Sequence, residues 1–506
     1  MRDRLRHAAA SVAALLFCLL FCVPVASAST GSDRYAAIDA YVRDRMEATH
    51  VPGLSYAVVG PDGPLHQRSW GTDGRGGPVT AGTPFLWGSV AKPVAATGVM
   101  ALVQDGRLGL DDRVVDHLPG FRFGGTAHAA EVTVRHLLDQ TAGLPASATF
   151  AVADCLSADC PRPAERIGAL DDVRPLGPPG TAYAYTSANY LVLAAVVEAV
   201  TGLPFAEHLR RAVLDPAGMD GAIADAASAR KRDLPPGHQL LWGLPSAIAD
   251  GYDDHGASYG YLGGDLNDLA AFASLQLRSG RTADGGTVLT PQSVRLMRRE
   301  GELRPTGAGT GYGLGWRVGG LDAPLDGAVW HTGATFGYSA MIFLLPEQGT
   351  ALVLHQNLHG LLHDGAVMQA GFGAARLLAG GDPPAAPSAS PYHLAVWGTT
   401  VLALALTAAA VRSAFLLRRP SLASPPRRAA VAAAWILAGA LPWIVAVPLV
   451  VQMGPGHLWN WFPDISTALC AGAVAGAATA ALRLVRAVRG ASGRQAFRTT
   501  GGDGAS

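Results

Sequence analysis

An α+β domain whose sheet joins its own two chain ends, followed by three membrane-crossing helices, is the architecture this 506-residue sequence predicts. Three observations predict it. Strand-like runs lie near both ends of residues 29–379: LSYAVVG at 54–60, then 338–345 and 350–355. Helical periodicity occupies 33–48 and 93–106, and helices fill the middle, as at 189–201 and 264–277. Strands at both ends with helices between them suit a sheet that pairs the domain termini. Beyond residue 393 come three apolar segments, at about 394–417, 429–451 and 465–485. Each is close to the roughly 20 residues that cross a hydrocarbon core.

The first element is a leader. Arg2, Arg4 and Arg6 form a basic start, Ala8 to Val23 an apolar core, and Ala26-Ser27-Ala28 a small-residue cleavage site. Residues 1–28 therefore read as a signal peptide, with the mature chain starting near Ser29 outside the cytoplasm. The alternative is an uncleaved anchor, against which stand the short apolar run and Pro24. Cysteine use fits export: Cys155 and Cys160, in CLSADC, are close enough to close a small disulfide loop. Two free thiols are the alternative, and the pair alone offers too few ligands for zinc.

Residues 380–393 (GGDPPAAPSASP and two more) read as a linker. Arginines then set orientation. Arg412, Arg418, Arg419, Arg427 and Arg428 surround the first connection, and Arg483, Arg486, Arg489, Arg494 and Arg498 follow the third segment. The second connection, MGPGHLWNWFPD, has no Lys or Arg and carries Trp459 and Trp461. The positive-inside rule then places the first loop and a tail at 487–506 in the cytoplasm, and residues 29–393 outside. No Asp, Glu, Lys or His occupies the central parts of the spans, so anchoring is favoured over transport.

Composition excludes other classes. The formal net charge is zero and charged residues are 15% of the chain, without the basic surface a nucleic-acid binder needs. The mean hydropathy of +0.22 is concentrated at the two ends. No dinucleotide fingerprint or P-loop is present. His355, His359 and His363 have a metal-like spacing, but Gly360 interrupts it and no carboxylate-rich partner is evident, so no metal or cofactor is expected.

Within WGSVAKP (87–93), Lys92 is one of two lysines among 39 basic residues. If Ser89 opens a helix, positions i and i+3 share a face and Lys92 reaches its hydroxyl. A serine hydroxyl is a weak nucleophile until a base takes its proton. A buried lysine can serve as that base, whereas an arginine stays protonated. Chemistry of this kind explains a lysine in an arginine-preferring chain.

The surrounding segments extend that reading. TPFLWGSVAKPVAATGVMALVQDGRLGLDDRVVDHLP (83–119), VTVRHLLDQTAGLP (132–145), PGTAYAYTSANYLVLAAVVEAVTG (179–202), LTPQSVRLM (289–297), GYGLGW (311–316) and HTGATFGYSAMIFLLPEQGTALVLHQN (331–357) follow in order. Together they resemble the serine β-lactamase and penicillin-recognising family over nearly all of 35–375. The branch is the class C β-lactamase-like one, with D-Ala-D-Ala carboxypeptidases, D-aminopeptidases and esterases. The resemblance implies a β-lactamase/transpeptidase-like fold with Ser89 as acylated nucleophile and Lys92 as its activating partner. Tyr185 is implied as a proton-transfer group, with Tyr183 beside it at an aromatic core position. The backbone N–H groups of Ser89 and Ala334 are implied to form the oxyanion hole. Ser187, His331, Thr332 and Gly333 are implied to line the substrate, with His331-Thr332-Gly333 on the sheet's edge strand.

Two positions depart from the family pattern. Ser187 stands where an asparagine is usual, and His331 where lactamases and transpeptidases commonly carry lysine. Both weaken the case for an efficient β-lactamase and lean toward a peptidase or esterase with a different acyl pocket. The expected protein is a membrane-tethered, extracytoplasmic serine hydrolase acting through an acyl-enzyme on a small peptide, amide or ester. A wall-derived peptide ending in D-alanine is the substrate class implied by location and family. The alternative is a non-catalytic fold that binds cell-wall peptides or a membrane partner. A binder has no need of Ser89, Lys92 and Tyr185 together.

Overall fold

The computed structural model describes residues 31–298, 304–307, 310–385, 387–419 and 423–499. The predicted leader lies outside these residues. In chain order the principal elements are α1 (Gly31–Ala48), β1 (Gly53–Gly60), β2 (Gly63–Gly71), β3 (Phe85–Leu86), α2 (Ala91–Gln104), α3 (Ala188–Thr201), β4 (Gly237–Leu241), β5 (Leu244–Ala249), β6 (Gly263–Gly264) and α4 (Leu266–Leu277). There follow β7 (Arg304–Gly307), β8 (Thr310–Tyr312), β9 (Arg317–Gly319), β10 (Val329–Thr335), β11 (Tyr338–Leu345), β12 (Thr350–Gln356), α5 (Asp364–Leu378), α6 (Ser390–Leu417), α7 (Pro425–Trp461) and α8 (Pro463–Thr499).

One eight-stranded antiparallel sheet carries the domain, in the order β2-β1-β12-β11-β10-β9-β8-β7. The two ends of the domain meet where β1 pairs with β12, from Leu54 opposite Gln356 to Val59 opposite Ala351. Strands β1 and β11 are buried along their whole length because both faces are covered. Leu54, Tyr56, Val58, Met341 and Phe343 face α1 and α5, in a core with Ile38, Val42 and Ala374. Their neighbours Ala57, Val59, Ala340 and Ile342 face the helical middle, in a larger core with Val94, Leu193 and Phe272. The two-residue alternation of strand side chains thus feeds two cores from one sheet.

Local signals set the helix ends. Asp265 caps α4 by accepting from the backbone N–H groups of Asn267 and Asp268. Gly202, at φ +72°, ends α3 in a left-handed turn. Strand β2 (GPLHQRSWG) escapes sequence reading because it is a largely exposed edge without apolar alternation. Cys155 and Cys160 are joined by a disulfide, with Cα atoms 5.8 Å apart.

The three C-terminal helices are long and apolar enough to cross a membrane, with the third apolar from Pro463 to Arg489. Leu394, Val401, Leu404, Ile444 and Val474 are exposed on them. Helices α7 and α8 meet at Gly439 and Gly476, where a Cβ on either would fall 2.4–2.5 Å from the other's carbonyl oxygen. Small residues allow such backbone contact between membrane helices. Near its C-terminal end α7 is broken at Gly454, which takes φ +77°.

Candidate active site

The turn that carries Ser89 forms before the helix proper. Gly88–Val90 make a short 3-10 turn that runs directly into α2 at Ala91. Ser89 and Lys92 therefore sit one turn apart at the buried start of α2. Pro93 is tolerated there because first-turn N–H groups have no intrahelical partner.

Lys92 is fully buried. Its Nζ donates to Ser89 Oγ at 2.8 Å, Ser187 Oγ at 3.3 Å and the Tyr259 carbonyl at 2.9 Å. All three partners are uncharged. Burial, reinforced by the nearby Arg317 charge, brings the ammonium pKa down to about 7, with Asp154 opposing. Tyr185 completes the cluster: its ring centroid lies 4.9 Å from Lys92 Nζ. Burial raises the Tyr185 pKa well above the ordinary phenol value, so the group stays protonated near neutral pH.

Ser187 opens α3, and its hydroxyl faces the Lys92 ammonium. Its backbone N–H donates to Thr149 Oγ1 at 3.0 Å. The preceding Thr186 N–H donates to Gln140 Oε1 at 3.0 Å, and Asn189 Nδ2 donates to the same oxygen at 2.6 Å. Gln140, at φ +64°, thus fixes where the Tyr185–Ser187 segment enters the site.

Strand β10 brings the third group of residues. The expectation of an edge strand needs correction, since β9 lies beyond β10 in the sheet. However, that pairing covers Val329–Val318 and Trp330–Arg317, so among the described residues β10 has no strand partner on the β9 side from His331 onward. The motif residues sit on a local edge inside a larger sheet. Close approach to the Ser89 turn depends on glycine here: a Cβ on Gly333 would lie 2.0 Å from the Trp87 carbonyl oxygen and 2.7 Å from Ser89 N. Ala334 N stands against the same turn, 2.2 Å from where a Cβ on Gly88 would fall.

His331 is buried, and its Nδ1–H donates to the Thr332 carbonyl at 2.6 Å. Its Nε2 accepts from the Tyr312 hydroxyl at 3.2 Å. Desolvation and the charges of Arg317 and Lys92 hold its pKa well below the ordinary imidazole value, leaving it neutral. The Tyr183 ring lies 5.6 Å from Tyr312.

Sequence reasoning missed the cation of this site. Arg317, on β9, places its guanidinium 5.3 Å from the Tyr185 ring, 5.9 Å from Tyr312 and 5.5 Å from Trp330. Its signal was one residue beyond GYGLGW, and nothing local distinguishes it from 36 other arginines. Only the β9–β10 register puts it beside His331.

The three histidines of 355–363 do not converge. His355 packs against Phe85 with ring centroids 4.8 Å apart, while His359 lies 3.4 Å from Asp364. His363 packs on Tyr392. Among the described residues no group of three His, Cys, Asp or Glu side chains could hold a metal ion.

With this geometry in view, the similarity to known proteins is informative. Residues 38–371 match the family model described as Beta-lactamase, and the chain belongs to that family. It is 33% identical over 334 residues to penicillin-binding protein 4 of Amycolatopsis lactamdurans, covering 63% of this chain and 85% of that one. Among solved structures, the octameric penicillin-binding protein homologue from Pyrococcus abyssi superposes with a TM-score of 0.58 at 22% identity, over 69% of this chain and 78% of that one. EstCE1, a hydrolase with promiscuous acyltransferase activity, superposes with a TM-score of 0.55 at 21% identity, over 64% of this chain and 93% of that one. The fold is therefore β-lactamase/transpeptidase-like, and members of this family are generally serine hydrolases.

Proposed function

We propose that this protein is a serine hydrolase in which Ser89 is acylated by an amide or ester and then released by water. One observation carries the proposal: a buried lysine, with only uncharged hydrogen-bond partners, stands 2.8 Å from the Ser89 hydroxyl. As the neutral amine, Lys92 takes the Ser89 proton while Oγ attacks the substrate carbonyl. Negative charge developing on the carbonyl oxygen is met by the backbone N–H groups of Ser89 and Ala334. The proton held by Lys92 then passes to the leaving amine or alkoxide through Tyr185, which acts as a neutral relay. Water enters where the leaving group departed, gives its proton along the same path, and frees the acid.

Substrate preference follows from charge. His331 is neutral, so Arg317 is the cation that meets a carboxylate in the leaving group. A short peptide ending in a free carboxylate fits that arrangement, and a wall-derived peptide ending in D-alanine is such a molecule. Thr332 and Gly333 offer backbone along which its peptide lies, and Ser187 presents one hydroxyl instead of an amide. The three apolar helices are proposed to anchor the hydrolase at the outer face of the cell membrane. The arginine distribution around the first connection and after the third segment supports that orientation.

A fluorophosphonate or fluorescent β-lactam tests the chemistry. Intact mass should show one adduct on wild type and none on Ser89→Ala. Saturable binding without any adduct would instead support a non-catalytic wall-peptide binder. A reporter fused after residue 393 should be accessible from outside, and one after Arg494 should not. The reverse would discard the orientation.

A further inference from the structure

After the break at Gly454 the last turns of α7, which form most of the MGPGHLWNWFPD connection, lie against the β-lactamase-like domain. Trp461 Nε1 donates to Asp154 Oδ2 at 3.1 Å, and His457 Nε2 lies 3.6 Å from the same oxygen. The His457 ring meets Phe150 edge-on with centroids 5.5 Å apart. Trp461 packs on Phe336 at 4.8 Å and edge-on to His359 at 5.2 Å.

Three of the domain residues in that contact, Phe150, Phe336 and Asp154, lead to the Ser89 cluster. Phe150 follows Thr149, whose hydroxyl receives the Ser187 N–H. Phe336 is two residues past Ala334. The Asp154 backbone N–H donates to the Tyr259 hydroxyl at 2.9 Å, and the Tyr259 carbonyl accepts from Lys92. Asp154 is buried and adopts φ +60°, a conformation that non-glycine residues seldom take. Its carboxylate is met by Trp461, His457 and the Tyr261 hydroxyl, the last at 3.0 Å. Without the connection this buried carboxylate would keep only Tyr261 of the three. A buried charge left so poorly partnered is costly, so the domain is shaped to receive the connection.

We propose that Trp461 and His457 are positioning residues of the Ser89 site: the connection formed by the end of α7 completes the wall that holds Asp154, and through it Tyr259 and Lys92. The hydrolytic site is then a composite of the β-lactamase-like domain and the membrane bundle. This rests on the reading of Ser89 as the acylated residue.

The electrostatics give a direction. Asp154 is faced by His457, Trp461, Tyr261 and Asp253, with Tyr259 at its backbone. Lys92 is faced by Ser89, Tyr185, Tyr190, Ser187, Arg317, His331 and Asp154. Burial raises the Asp154 pKa, while His457, Trp461 and Tyr261 oppose that rise by favouring the carboxylate, whose negative charge in turn favours protonated Lys92. Removing the indole N–H therefore lets Lys92 lose its proton at lower pH.

The test uses the full-length protein in lipid nanodiscs. Ser89 modification by a fluorophosphonate is followed by intact mass from pH 5 to 9, with thermal unfolding measured alongside. Trp461→Phe keeps the ring and loses the donor. The midpoint of its Ser89 modification should move to lower pH by at least about 0.5 unit, measured at a temperature where the unfolding curve shows the variant still folded. Superimposable profiles for wild type and Trp461→Phe would overturn the proposal while leaving the hydrolase reading intact. Absence of any Ser89 adduct on wild type would instead remove the hydrolase reading and this inference with it. Phe150→Cys with His457→Cys gives an independent check: a short bismaleimide added to vesicles should crosslink the pair, and failure to crosslink denies the contact.

Discussion

Gly88 and Gly333 let the Ser89 turn and β10 interlock: a side chain on either would run into the backbone beside the other. A Cβ on Gly333 would fall 2.0 Å from the Trp87 carbonyl oxygen, and one on Gly88 would fall 2.2 Å from Ala334 N. Gly88 also takes φ +54°, where L-residues are strained. The Ser89 turn and β10 thus approach backbone to backbone, which sets the two N–H groups of the proposed oxyanion hole. Gly333→Ala should lower the rate of Ser89 acylation by about 100-fold, the scale of losing one such donor. Stopped-flow or quenched labelling of the purified variant measures it, and an effect confined to substrate affinity would contradict the geometry.

Acylation should depend on deprotonated Lys92. With its pKa brought down to about 7 by burial and Arg317, the rate should rise with pH through a midpoint near 7. Below that midpoint the ammonium cannot accept the Ser89 proton. Lys92→Arg keeps the charge but cannot deprotonate, so it should lose about 1,000-fold above that midpoint and progressively less below it. A flat pH profile for wild type would show that another group is the base.

Arg317 should separate anionic from neutral substrates. A charge-assisted hydrogen bond contributes about 1.5–3 kcal/mol. Arg317→Ala should therefore raise KM for a peptide with a free C-terminal carboxylate by about tenfold or more, and change KM for the corresponding neutral ester far less. The same variant removes a positive charge that lowers the Lys92 pKa, so its acylation midpoint should move to higher pH. Equal losses on both substrates would place Arg317 outside the leaving-group pocket.

Stability should hinge on a buried pair beside the site. Arg166 donates to both carboxylate oxygens of Asp253 at 2.8 Å, with both side chains nearly inaccessible. Asp253 also accepts from the Tyr259 hydroxyl at 2.5 Å and the Cys155 N–H at 2.9 Å. Asp253→Ala leaves an unpaired guanidinium in the interior and should cost about 3–5 kcal/mol, read as a lower denaturant midpoint. Arg166→Ala and Asp253→Ala combined should cost less than the sum of the two single changes.

The sequence alone carried the architecture and the chemically irreplaceable residues. Strand runs at 54–60 and 350–355 were legible because strands covered on both faces become continuous apolar runs, and the three C-terminal helices because lipid demands length and apolarity together. Ser89 and Lys92 were legible because their relationship is local, one helical turn, and because only a lysine can lose a proton there. What tertiary structure decided depends on contacts between distant segments. The β9–β10 register places Arg317 beside His331 and turns β10 into a local edge. A reversal at Gly454 brings Trp461 to Asp154, 307 positions away. No sequence period encodes such meetings, because they arise from how the sheet and the C-terminal helices pack, and those long-range contacts set the surroundings of the proposed site.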